Sequence, residues 1–457
     1  MKIRNTLALV LSVLMLAALL TGCAGGSSTA SPSASAPASD APASTDPGTE
    51  APSDAPASPE MSSLDKLLSM EDKLPLGGLQ PSQLESRADI NKALPVKKTN
   101  SDTITIGWAS ASQGSSFFTE MLRSAQERCD KYGYTLKYQV ANFDVNAQMT
   151  QIENFLTQGV DFLVVNAVDI DATVRYYEQA VEQGIPCFVV GPTAAKAEYP
   201  LVTTVLAGGY DAGYTVGQYV AEKLFNDYGS KELKVGFVIS RAGDADSNSR
   251  PCGFVSGYLE KNAELAGKPY ASKWDATLDG YNVWVACRDS GSAKIDGILD
   301  LVGYASAGST DANSGQTAAA DLLTAHPDMD LCFVETDSLS PGVLQEIAQH
   351  DMTAGEDILV ACGADAAKYT LENIQAGKIL AVGVNVPYYT GEGIIEIIHE
   401  ILDGADYNNL PASSYTPTYC VNVDNVNEYY DPTLEFAPML PWDIQTIDEY
   451  NAANAGQ

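Results

Sequence analysis

Between residues 103 and 384, short apolar strands alternate with helical stretches, and this alternation restricts the fold more than any other property of the chain. Residues 103–109, Thr-Ile-Thr-Ile-Gly-Trp-Ala, read as a strand. Ser116 can cap a helix that Gly133 ends. Residues 134–140 alternate as a second strand, and a helix over 146–158 stops at Gly159. Residues 161–166 have the continuous apolar content of a strand covered on both faces. A helix over 171–183 stops at Gly184, and 185–190 forms the next strand. Similar strands recur at 233–239, 331–334, 358–361 and 380–384. Strands separated by helices imply βαβ units, and therefore parallel sheets with helices on both faces. Ligands of such open sheets bind outside the carboxyl ends of the strands. Candidate site residues are therefore those that immediately follow a strand.

About 350 residues follow the first strand, more than a single core takes up, so two lobes are expected. The formal net charge of −33 argues against nucleic acid, whose binders present basic patches, and against charge-driven binding to anionic lipid. It is compatible with a solvated, soluble surface.

The chain begins with Lys2 and Arg4, then an apolar run over 7–20, then Leu20-Thr21-Gly22-Cys23. A basic start, an apolar segment and small residues before the cut describe a secretory signal over 1–22. The run is shorter than the ~20 apolar residues of a spanning helix. The Cys after Thr-Gly resembles the bacterial lipoprotein box, which implies cleavage before Cys23 and a diacylglycerol on its sulfur; an ordinary signal peptide or a lone membrane helix is the alternative. Residues 23–102 are expected to be a disordered tether. Ala-Pro-Ala-Ser recurs at 36–39, 41–44 and 55–58, and such composition buries too little to offset its ordering entropy. A weak helix around 63–70 is the only structure suggested there.

Of the eight cysteines, Cys23 is the lipidation candidate, leaving an odd number. Cys187, Cys332 and Cys362 lie in strand-like runs and read as buried small hydrophobes. A Cys252–Cys287 disulfide is possible in an extracytoplasmic protein but is not fixed by sequence.

Ile106-Gly-Trp-Ala-Ser-Ala-Ser-Gln-Gly-Ser-Ser-Phe-Phe118, Lys131-Tyr-Gly-Tyr134, Gln158-Gly-Val-Asp-Phe-Leu-Val-Val-Asn166 and Gln183-Gly-Ile-Pro186 occur in that order. Leu322-Leu-Thr-Ala-His-Pro-Asp328, Gln375-Ala-Gly-Lys378, Asn385 and Pro387 follow. This series resembles the ribose-type, type I periplasmic-binding-protein family over about 103–423. The resemblance implies an α/β fold of two doubly wound parallel-sheet lobes joined by a three-crossover hinge. It places the first lobe at 103–207 plus 386–417, the second at 208–385 plus 418–435, and a tail at 436–457. It also implies a small ligand, usually a sugar, held in the cleft and passed to the permease and ATPase subunits of an ABC importer. The protein would then be a monomer on the extracytoplasmic face of a bacterial membrane, needing neither cofactor nor metal.

Site residues carry over one at a time. Ser115 stands where the family often has Asn, and Phe117 and Phe118 match its paired aromatics, the alternative being core positions on a first helical turn. Arg250 lies near the family's arginine and can donate several hydrogen bonds to hydroxyls, or form a surface ion pair. Thr336 aligns with an Asn and Asp337 with a shared Asp. Asp365 matches a ligand-binding Asp that can accept two hydroxyl hydrogen bonds, or cap a helix. Asn385 stands where a ligand-binding Gln occurs. The departures are equally specific: Gly191-Pro192 replaces the Asp-Arg pair that grips the sugar, and Ala207-Gly208-Gly209 lacks a ligand-binding Asp. The stretch 261–309 is longer than expected and holds Trp274, Tyr281, Trp284 and Tyr304, which either replace the lost stacking surface or pack a core of their own.

Enzyme readings are weak. His399-Glu400 lacks the second His of a zinc-protease helix, and neither a Gly-x-Ser-x-Gly elbow nor a Gly-x-x-x-x-Gly-Lys loop occurs. A sensor subunit of the same fold, or a surface glycan hydrolase, are the alternatives to uptake.

Overall fold

The computed structural model describes residues 61–79, 86–90, 93–94, 103–229, 231–405 and 409–454. The expected signal at 1–22, Cys23 and the Ala-Pro-Ala-Ser repeats lie outside the described residues.

The first lobe is built on a six-stranded sheet. Its strands are β1 (Thr105–Ser110), β2 (Thr135–Val140), β3 (Phe162–Asn166), β4 (Cys187–Val190), β5 (Thr203–Ala207) and, from far along the chain, β12 (Ser413–Thr416). They run parallel in the order β12-β5-β4-β3-β1-β2. Every residue of β3 and β4 is buried, the consequence of helices on both faces. Helices α2 (Ser116–Tyr132), α3 (Val145–Gln158) and α4 (Ile170–Gln183) alternate with these strands. Each ends at a glycine in the left-handed conformation, Gly133, Gly159 and Gly184. Asp144 and Asp169 start the latter two, accepting from the backbone N–H groups of Ala147 and Ala172, both at 3.0 Å.

The second lobe has seven strands: β6 (Leu233–Ile239), β7 (Ala293–Ile295), β8 (Leu299–Ser306), β9 (Leu331–Val334), β10 (Leu359–Cys362), β11 (Ala381–Gly383) and β13 (Cys420–Asn422). Their order is β13-β11-β10-β9-β6-β8-β7, parallel except for the two antiparallel edges β13 and β7. Helices α5 (Gly209–Tyr228), α6 (Ala245–Leu265), α7 (Lys273–Ser290), α8 (Ala312–Ala325), α9 (Ser340–Gln349) and α10 (Lys368–Gln375) surround it. Gly213 and Gly217 allow α5 to lie directly on α6. A Cβ at either would fall 2.0 or 2.1 Å from the backbone oxygens of Arg250 and Phe254.

The chain passes between the lobes after β5 into α5, after β11 into α11 (Pro387–Leu402), which packs on α2, and after β12 into β13. All three passages lie at the carboxyl side of the sheets.

The structure overturns two sequence expectations and decides two that the sequence left open. Within the stretch assigned above to a disordered tether, residues 61–79 are folded: the helix expected around 63–70 forms as α1 (Ser63–Ser69), and a 3-10 turn follows at Leu74–Leu76. Leu67 is fully buried in the core of the second lobe, with Met70, Leu76 and Leu79 against the same cluster. Isolated, so short a helix is unstable; tertiary burial supplies what its sequence lacks. Second, Trp274, Tyr281, Trp284 and Tyr304 do not face the cleft. Trp284 is fully buried, 5.1 Å from the Phe237 ring, and all four join that same core. Third, the stretch from 436 is no mere tail, since Phe436 and Ala437 are buried among second-lobe residues. Fourth, Cys252 and Cys287 are both buried free thiols.

Candidate ligand-binding cleft

The carboxyl ends of both sheets face one cavity of about 790 Å³, and all eight residues carried over from the family resemblance line it: Ser115, Phe117, Phe118, Arg250, Thr336, Asp337, Asp365 and Asn385. Their local roles differ.

Ser115 occupies the cap position of α2, yet its hydroxyl makes no capping hydrogen bond. Phe117 and Phe118 follow on the first turn, half-buried and edge to face at 5.7 Å. Phe117 also meets Phe436 at 6.3 Å, and Phe118 meets Phe143 at 5.9 Å. Both rings thus touch core and cleft at once, so the two readings of them are not exclusive.

On the opposite wall a charged cluster is assembled from α6 and the ends of β9 and β10. Arg250, 4% exposed, donates to Glu335 Oε1 at 2.8 Å and lies 3.3 Å from Asp246 and 3.6 Å from Asp365. Its pairing is internal rather than on the surface. Burial pulls the Arg250 guanidinium down, but the carboxylates of Asp246, Glu335, Asp365 and Asp244 outweigh it and hold it above its usual range. Its Nε–H is buried without an acceptor among the described residues. Asp365 accepts from Asn385 Nδ2 at 3.1 Å and from Thr336 Oγ1 at 3.2 Å. Burial pushes its carboxyl up, to about 8, against the pull of Arg250. These two hydrogen bonds leave about two of the roughly four acceptor positions of the carboxylate open, enough for the two hydroxyls expected from sequence. Asp337 is committed elsewhere. It accepts from the backbone N–H of Ala367 at 2.7 Å and from the Tyr369 hydroxyl at 3.2 Å, so it holds the loop that carries Asp365.

Sequence reasoning missed several lining residues. Glu335 immediately follows β9, one position before Thr336, and strand-end position alone was a sufficient signal. Phe143 follows β2 in a loop where both Asn142 and Phe143 have positive φ, 52° and 61°. The Arg241 guanidinium sits 4.4 Å from its ring centroid and is held by Asp244 at 2.6 Å. Phe436 and Leu74 come from segments read as tail and tether. Asn166 ends β3 at the cleft, but its side chain is taken by the Ala111 N–H and the Val190 carbonyl. Gly191 and Pro192 line the cavity without offering a polar side chain.

The family model for a periplasmic binding protein domain matches residues 106–406. The ribose import binding protein of Bacillus subtilis is 27% identical over 313 residues, 68% of this chain and 86% of that protein. The Escherichia coli ribose import binding protein is 23% identical over 300 residues, 66% of this chain and 85% of its own length. Among solved structures, the periplasmic binding protein component of the arabinose ABC transporter from Shewanella sp. ANA-3, bound to L-arabinofuranose, has the same fold. It superposes with a TM-score of 0.56 at 16% identity, over 71% of this chain and 93% of that one. With two doubly wound lobes, three passages between them and a family match over most of the body, this chain belongs to the type I periplasmic binding proteins.

Proposed function

We propose that the protein captures an uncharged, polyhydroxylated ligand, a sugar or sugar alcohol, between its lobes and delivers it to the permease of an ABC importer. The observation that carries this reading is the cleft lining, in which the rings of Phe117, Phe118, Phe143 and Phe436 stand beside Arg250, Thr336, Asp365 and Asn385. Flat rings take the C–H faces of a sugar, while carboxylate, amide and guanidinium groups satisfy its hydroxyls. The cavity volume of about 790 Å³ falls in the range of small-molecule sites. The lining carries seven carboxyl groups against two guanidinium groups, which disfavours sugar acids and phosphates. The names of the relatives, ribose import binding proteins, support the importer role.

The anchor belongs to the same proposal. Diacylation of Cys23 supplies the two chains that stable membrane attachment requires. A chain tethered in this way meets its permease at a raised effective concentration without any new contact.

A thermal-shift screen with D-ribose, L-arabinose, D-allose, myo-inositol, xylitol, nucleosides and amino acids tests the ligand class. A binder at a hundredfold excess over its Kd stabilises by ~2.7 kcal/mol. A shift given by an amino acid alone, with every polyol silent, refutes the reading. Cys23→Ala is expected to release the protein from membranes, and retention in the membrane fraction refutes the anchor.

A further inference from the structure

Residues 61–79 run from one lobe to the edge of the other. Their α1 end is fixed on the second lobe, where Leu67 is buried, Ser63 donates to Asp275 at 2.5 Å, and Asp72 pairs with Arg288 at 2.6 Å. The segment then passes the cleft, where Leu74 joins the lining. Directly after it, Gly77 and Gly78 lie on the first passage between the lobes. The Tyr210 N–H donates to the Gly77 carbonyl at 3.1 Å. Gly78, at φ +72°, is so close that a Cβ would fall 2.6 Å from the Gly209 nitrogen and 2.9 Å from the Gly208 Cα. One residue later the Leu79 carbonyl accepts from the Tyr415 hydroxyl of β12, in the first lobe, at 3.3 Å. Farther along, Ser86 bridges to Pro411, and Ile90 and Ala93 are buried in the first-lobe core.

We propose that this arm is a working part of the binding machinery: it walls the cleft with Leu74 and, anchored in both lobes, forms a fourth link that restrains their opening at the hinge. Opening by rotation changes the separation of points on the two lobes, so a segment held at both ends and packed on a passage resists it. The role of Leu74 rests on the reading of the cavity as the ligand site, whereas the role of the arm as a link does not.

Hydrogen exchange on the ligand-free full chain separates these. Gly78→Val removes the seat on the first passage, and Asp72→Ala loosens the arm without entering the hinge. Each is expected to speed exchange several-fold at all three passages, including 383–387 and 416–420, which the arm does not cover. Acceleration confined to α6, α7 and the first passage beneath the arm overturns the proposal, because the arm is then only a cover on one lobe. Leu74→Ala keeps the Gly77–Gly78 seat. It is expected to leave the ligand-free Tm unchanged and to weaken binding several-fold for whichever panel compound stabilises wild type, and unchanged affinity removes Leu74 from the site. If no panel compound stabilises wild type, the sugar reading fails, and the exchange result still decides whether the arm is a link.

Discussion

Asp365→Asn separates the two jobs of the most constrained carboxylate in the cleft. In the native protein Asp365 is 7% exposed, accepts hydrogen bonds from Asn385 and Thr336, and lies 3.6 Å from Arg250. Above about pH 8, where the native carboxyl is ionised, an amide of the same shape keeps these neighbours and removes the charge. A hydrogen bond to a charged group contributes about 1.5–3 kcal/mol and a neutral one about 0.5–1.5. For each ligand hydroxyl that uses one of the open acceptor positions, the loss is about 1–1.5 kcal/mol, or roughly tenfold in Kd. Stability should move the opposite way. Burial raises the folded-state pKa of this carboxyl to about 8, above its unfolded value near 4, so the folded protein holds the extra proton between those limits. Its stabilising effect is complete below about 4 and is lost as pH rises through about 8. The variant has no such proton to lose. Calorimetric titration with a panel compound at pH 9 should show the weaker Kd. Urea unfolding at pH 5 and pH 9 should show the difference in stability moving toward the variant at the higher pH. An unchanged Kd removes Asp365 from the ligand's contacts. A variant that loses further ground at pH 9 shows that the ion pair with Arg250 outweighs burial.

Three further predictions concern the frame around the site. Trp284→Ala should cost about 3–5 kcal/mol in urea unfolding, since the ring is fully buried against Phe237, while Kd stays within about twofold because the ring does not reach the cleft. Gly217→Val should destabilise by about 1–3 kcal/mol or more by the same assay, because its Cβ would meet the Phe254 carbonyl at 2.1 Å and force α5 from α6. Unfolding without reductant should expose Cys129, Cys187, Cys252, Cys287, Cys332, Cys362 and Cys420 to alkylation, with mass spectrometry finding no Cys252–Cys287 link.

Strand and helix positions were legible because burial on two faces writes itself as continuous apolar runs, as in β3 and β4, and because glycines end the helices where left-handed caps form. The polar candidates were legible from the family resemblance and, for Thr336, Asp365 and Asn385, also from position after a strand, which fixes where a side chain lies in an open parallel sheet. That rule places Thr336 and Asp365 at the cleft but is silent on direction, which is why Asp337 turns out to brace the Ala367 N–H. Residues whose place depends on long-range packing could not be read. Leu67 and Leu74 sit in a stretch whose Leu and Met residues suggest a weak helix but not what it packs on, and the core of the second lobe gives Leu67 its partners. Phe143 depends on two consecutive positive-φ residues, a conformation that its sequence does not advertise.

Those unreadable residues bear directly on the ligand. Where the family has an Asp-Arg grip, Gly191-Pro192 removes two polar groups from the first-lobe wall, and the long 261–309 insertion returns none of them. The cleft instead gains apolar surface from three separate places: Phe143 after β2, Phe436 beyond the last strand, and Leu74 on the arm. The rings of Phe117, Phe118 and Phe143 stand on the first-lobe wall beside Asp169 and Asp171, and on the proposed reading the second-lobe wall, with Arg250, Glu335, Thr336 and Asp365, would carry most of the polar recognition. A ligand suited to that division presents its hydroxyls on one side and a C–H face on the other. Pyranoses and cyclitols differ in how well they segregate these faces, so the order of affinities across the panel should follow that segregation rather than ring size.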